Sequence, residues 1–188
     1  MKDNCAVNRA KLIDEPIVEM LLSRKYFNSG LKFMKSDIQS DFDGTDIVCY
    51  FNGVKRSINV KRNSSKYYSS PNFTISLDKN NLEIFNNTSF VFIDEVADSL
   101  YIVDGTELLK YILNNPDNIK QSANNSNKSF VILPKKDILS LVGNSENRVI
   151  KYNKQIAKLF ETNRDEAKFK NLFSEGIWVR LFLLKLET

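Results

Sequence analysis

The chain contains no histidine, two cysteines, six glycines, four prolines and one tryptophan in 188 residues. Each scarcity closes off a class of chemistry. Without histidine there is no Ser-His-Asp or Cys-His nucleophilic arrangement, and no zinc site with imidazole ligands. Cys5 and Cys49 are too few for a disulfide scaffold or a four-cysteine zinc site. Cys49 lies in an apolar run that suits a buried residue. The few glycines form no phosphate-cradling loop. The N-terminal stretch MKDNCAVNRAKLIDEP lacks the apolar centre of a secretion signal. No run of about 20 apolar residues is present to span a bilayer. An intracellular, cytoplasmic location is therefore expected, and the N-x-S/T triplets at Asn72 and Asn86 predict no glycosylation. An enzyme built from this chain works with carboxylates, amides, lysines, hydroxyls or a hard metal ion.

What is abundant is core-forming material. Hydrophobic residues make up 42% of the chain, with 13 Phe and 7 Tyr, enough for a sizeable core and against global disorder. Lys and Arg number 27 against 23 Asp and Glu, a formal charge of +4. That is a mild bias towards a polyanionic partner.

Residues 10–24 carry a helical stripe of Leu12, Ile13, Val18, Leu21 and Leu22, with Pro16 marking a break or a restart. Glu19 sits within that helix. The clearest local signal follows. The apolar run Ile47–Phe51 is separated from Val54–Lys61 by Asn52-Gly53, a pair suited to a two-residue turn that needs positive φ at both positions. Such a turn sets Phe51 opposite Val54 and Asp46 opposite Asn59. Strand alternation then places Lys61 on the face of Asn59, with Ile58 and Val60 turned the other way into the core.

Beyond the hairpin, residues 63–72 are polar and residues 73–86 are ambiguous between helix and strand. Residues 90–96 and 100–103 read as strands around a turn, and 106–114 as a helix. Residues 118–128 read as a polar loop, 130–133 as a short central strand and 136–141 as a helical turn. A helix is expected at 148–161, a second over 165–173, and an apolar strand or helix at 176–186. The order implies an α/β fold with a mixed central sheet flanked by helices. Its core would occupy 1–141, with a C-terminal helical extension, 142–188, packed on the core or on a partner.

Asp46 and the Asn59 side-chain carbonyl, face to face, offer oxygen ligands to a hard cation, and the Val60 backbone carbonyl adds a third. Lys61, one pleat further, suits orientation of a water and neutralisation of phosphate charge. The stretch DFDGTDIVCYFNGVKRSINVK, residues 41–61, resembles the PD-(D/E)XK nuclease superfamily, which has the restriction-endonuclease-like fold. Asp46 matches the motif aspartate, and Asn59-Val60-Lys61 matches the acidic-x-Lys triplet with Asn in place of the acid. Glu19 resembles the first-helix glutamate that completes such sites.

The resemblance implies a metal-dependent phosphodiesterase, an endonuclease using Mg2+ or Mn2+ at Glu19, Asp46, Asn59 and Lys61. DNA is the expected substrate ahead of RNA. Asn59 carries no negative charge, so the alternative is a catalytically inactive nucleic-acid-binding protein, or a protein-interaction module, on the same fold. Lys55, Arg56, Arg62, Ser64, Lys66 and Tyr67 form a basic and aromatic cluster expected to contact the nucleic acid. Lys135 and Lys136 are further candidates for phosphate. A homodimer, or a protein partner held by the C-terminal region, is the expected assembly.

Overall fold

The computed structural model describes residues 14–36, 45–62, 72–78, 81–122 and 125–152. The first helix, α1 (Glu15–Lys25), begins with Pro16 in its first turn. The fixed φ of Pro16 suits a helix, and Asp14 before it already has helical backbone angles. Ile17, Val18, Leu21 and Leu22 form its buried face. A turn of 3-10 helix, Phe27–Ser29, ends in Gly30 at φ 76° and delivers the chain to the edge strand β1 (Lys32–Lys35).

The expected hairpin is present. Strands β2 (Ile47–Phe51) and β3 (Val54–Arg62) pair antiparallel with Phe51 opposite Val54 and Ile47 opposite Ile58. Asn52 at φ 49° and Gly53 at φ 80° supply the two positive values that the turn requires. Strands β4 (Asn72–Asp78), β5 (Thr88–Asp94) and β6 (Ser99–Asp104) follow, then α2 (Gly105–Asn114). The ambiguous 73–86 region thus divides into a strand and a 3-10 segment, Leu82–Asn87.

Two expectations are corrected beyond α2. The polar segment read as a loop at 118–128 holds β7 (Ile119–Ser122) and the start of β8 (Asn125–Pro134), which pair antiparallel. The helix expected at 148–161 begins instead as a strand, β9 (Val149–Lys151), after the short helix α3 (Lys135–Val142). Residues 153–161 lie outside the described residues. So do the helix expected at 165–173 and the apolar run at 176–186.

Six strands form a mixed sheet in the order β1-β2-β3-β5-β6-β9, and three form an antiparallel sheet in the order β4-β8-β7. Among the described residues only the β3–β5 pairing is parallel, a crossover that takes the chain through β4 and the 3-10 segment. The expected mixed central sheet flanked by helices is therefore found. The strand at 130–133 is central, as its apolar character suggested, but to the smaller sheet.

Two apolar layers cover the large sheet. On one face Ile47, Ile58, Val91, Ile93 and Leu100 pack against α1. On the other, Phe90, Phe92, Tyr101 and Val103 meet the small sheet, α2 and α3. At the α1 end, Lys25 Nζ donates to the carbonyls of Glu146 and Val149 at 2.7 and 2.8 Å. Tyr26 Oη donates to the Asn147 carbonyl at 2.8 Å. The start of the 142–188 segment is thus fastened to the first helix and completes the main sheet.

Gly105 opens α2 in a place with no room for a side chain. A Cβ there would stand 2.2 Å from the Phe85 carbonyl oxygen and 2.3 Å from that of Thr88. Gly105→Ala is expected to cost about 3 kcal/mol, because backbone must shift to accept the methyl. Urea unfolding followed by circular dichroism measures it.

Candidate functional site

The site is built on the turn at Asn52-Gly53, because register decides which side chains meet. Asp46 lies one residue before β2, across from Asn59. Its N–H donates to the Ile58 carbonyl at 3.0 Å, and its carboxylate Oδ2 accepts the Val60 N–H at 2.6 Å. The carboxylate therefore continues the hairpin ladder past the end of the strand. Ile58 packs in the α1 layer, with Val60 partly buried against it. Alternation turns Asn59 and Lys61 to the opposite face, where they neighbour Phe90 and Phe92 in the parallel register.

Lys61 is largely buried. Burial lowers its pKa from the ordinary lysine value, while the negative charges of Asp46 and Glu15 pull it back up. Glu15 is 4% exposed and stands in the first turn of α1. The helix carboxylate that acts on Lys61 is therefore one turn earlier than Glu19. Glu19 has a different neighbour. Burial raises its pKa above the ordinary carboxylate value, and the Lys35 ammonium on β1 lowers it in part.

Arg62, expected to contact nucleic acid, is drawn into the protein. Its side chain is 11% exposed. Nε donates to Asp14 Oδ2 at 2.9 Å, with a second, closer contact from Nη2 to Asp14 Oδ1. Nη1 pairs with Glu95, and Nη2 reaches the Tyr152 hydroxyl at 3.2 Å. Burial works against the guanidinium charge, but Asp14 and Glu95 outweigh it and hold the pKa above the ordinary arginine value. Tyr152, completely buried, is pushed up to about 12, first by desolvation. One cation thereby joins the start of α1, the end of β3, the β5–β6 turn and the residue after β9.

Lys55 and Arg56 are exposed near the hairpin tip. Register separates them: Lys55 pairs with Tyr50, and Arg56 with Cys49 on the α1 side. Ser64, Lys66 and Tyr67 lie outside the described residues. Lys135 Nζ pairs with Asp94 Oδ2 at 2.6 Å, while Asp94 Oδ1 accepts the N–H groups of Val96 and Ala97. Lys136 is exposed at the start of α3.

The donor set meets the demand of a hard dication only in part. Asp46 already accepts a backbone N–H, Asn59 supplies an uncharged oxygen, and Glu15 and Asp46 share the field of Lys61. Among the described residues, no group of three or more acidic, cysteine or histidine side chains converges to hold a metal ion. None of their helices is long and apolar enough to cross a membrane.

No known protein family matches the sequence, and no curated protein is detectably similar. Several solved chains resemble this one distantly. A nuclease from a fusselovirus is 12% identical, with a TM-score of 0.43 over 84% of this chain and 91% of that one. A bacterial homing endonuclease is 14% identical, with a TM-score of 0.36 over 84% and 96%. The likeness is one of general outline, and no residue role is carried across from it.

Two outcomes follow from these environments. Arg62→Ala strips the counter-charge from buried Asp14 and Glu95, and is expected to cost about 3–5 kcal/mol in denaturant unfolding. Glu19→Gln is expected to raise the denaturation midpoint slightly at pH 7, because the raised pKa marks a charge that folding disfavours. The gain is fully present above the folded pKa. It is lost as pH falls through that value and past 4.5, below which wild-type Glu19 is protonated in both states.

Proposed function

We propose that this chain is a nucleic-acid-binding protein in which the carboxylates of the Asp46–Asn59–Lys61 centre are engaged from within and do not support cleavage. The observation that carries this reading is the closure of Asp46. Its carboxylate serves the Val60 N–H, and its charge is spent on Lys61 together with that of Glu15. Two carboxylates against one buried ammonium leave a local charge of about −1, a poor match for a dication that must shed water to bind. Asn59 does not add the missing charge.

Binding itself is supported by the exposed basic residues of the first three strands, Lys32, Lys55 and Arg56, and by the overall charge of +4. Such contacts act mainly on phosphate, so affinity falls as salt rises. In fluorescence anisotropy, the protein is expected to bind labelled DNA in a salt-dependent manner whether EDTA or Mg2+ is present. No cleavage products should appear on a denaturing gel.

One observation favours a second reading, that of a metal-dependent phosphodiesterase. Glu15 brings to Lys61 a buried carboxylate that compensates in part for Asn59. On this reading Glu15, Asp46, Asn59 and the Val60 carbonyl hold Mg2+ or Mn2+. Cleavage in Mn2+ that Lys61→Ala abolishes, in a variant that still folds, would establish it and displace the first reading. Asn59→Asp discriminates further. Calorimetry should then show Mn2+ binding at least ten-fold tighter than in the wild type, since the substitution restores a full charge.

A further inference from the structure

The hairpin register that aligns Asp46 with Asn59 also aligns three residues at the other end of the same face. Lys32 of β1 pairs with Tyr50 of β2, and Tyr50 pairs with Lys55 of β3. All three are exposed, Tyr50 by 37%. Paired residues in adjacent strands project to one side. On β3 the positions 55, 57, 59 and 61 alternate onto one face of an unbroken strand. The row Lys32–Tyr50–Lys55 therefore opens onto the same face as Asn59 and Lys61.

Between the two ends lies the row Met34–Val48–Ser57, which bears no charge. Among the described residues, the rows Lys32–Tyr50–Lys55 and Met34–Val48–Ser57 carry no carboxylate, and Asp46 stands beyond them beside Asn59. Four residues of strand separate Lys55 from Asn59, about 13 Å at the usual rise. The two lysines are two ladder spacings apart, about 10 Å, with the phenol ring between them.

We infer that the row Lys32–Tyr50–Lys55 is a station for single-stranded nucleic acid, with one base stacked on Tyr50 and the flanking phosphates on the two lysines. The inference rests on the nucleic-acid reading of this face and adds the substrate class. A ring lying among strand side chains can stack only on a base that has left its own stack, which a single strand provides and an intact duplex does not. Met34, 55% exposed in the adjoining row, extends the apolar surface on which a sugar or a second base can rest. Arg56, adjacent in sequence, faces the α1 side and takes no part.

The test uses the full chain and a fluorescein-labelled oligothymidylate, compared with a duplex of equal length, in anisotropy titrations over a range of salt. The wild type is expected to prefer the single strand. Tyr50→Ala should weaken that binding roughly ten-fold and Tyr50→Phe should leave it unchanged. Lys32→Gln and Lys55→Gln should each reduce the salt slope by about 0.7, with circular dichroism unchanged in every variant.

Equal affinity for duplex, or single-strand affinity untouched by Tyr50→Ala, overturns the station while leaving nucleic-acid binding in place. Failure to bind either probe, including the case of a protein partner on this face, overturns both the station and the function proposed above.

Discussion

Register is the constraint from which the chemistry of this molecule descends. Asn52 and Gly53 adopt positive φ at consecutive positions, which few other residue pairs accept without strain. The tight turn leaves no freedom in how β2 and β3 align. A slip of one residue would exchange the two faces of β3. Lys61 would then enter the α1 layer, and Ile58 would leave it. The apolar demand of the sheet and the geometry of the turn favour the same alignment, and the positions of Asp46, Asn59 and Lys61 follow from both.

A second constraint acts at the far end of β3. Neighbouring residues Lys61 and Arg62 are both cations removed from water, on opposite faces of one strand. Each is compensated by carboxylates from the beginning of α1: Glu15 for Lys61, and Asp14 for Arg62. The adjacent acids Asp14 and Glu15 thus meet the two basic residues that end the strand. The candidate site is held by the same contacts that dock the first helix, so its electrostatics and the stability of the fold are coupled.

Much of this was legible beforehand, for identifiable reasons. Asn-Gly between two apolar runs carries the hairpin, and strand alternation carries the shared face of Asn59 and Lys61. Glu15 and Glu19 are a turn apart on one helix, and periodicity alone does not say which turn reaches the end of β3. The inward turn of Arg62 is not legible in the sequence, because Asp14, Glu95 and Tyr152 are remote along the chain and their convergence is a tertiary event. The β7–β8 hairpin was hidden by its Asn, Ser and Lys content, which imitates a loop. The strand at Val149–Lys151 was hidden by apolar residues further along that suggested a helical period.

The edge strand β1 has a consequence of another kind. Its sequence is Lys-Phe-Met-Lys, only four residues long, and among the described residues it has a partner on one side alone. Unpaired backbone along a sheet border invites strand addition from a second chain. A short border with a lysine at each end resists this, because stacking it against its own copy would bring ammonium groups together. The same lysines that give this margin its positive charge also help to prevent uncontrolled self-association through the sheet.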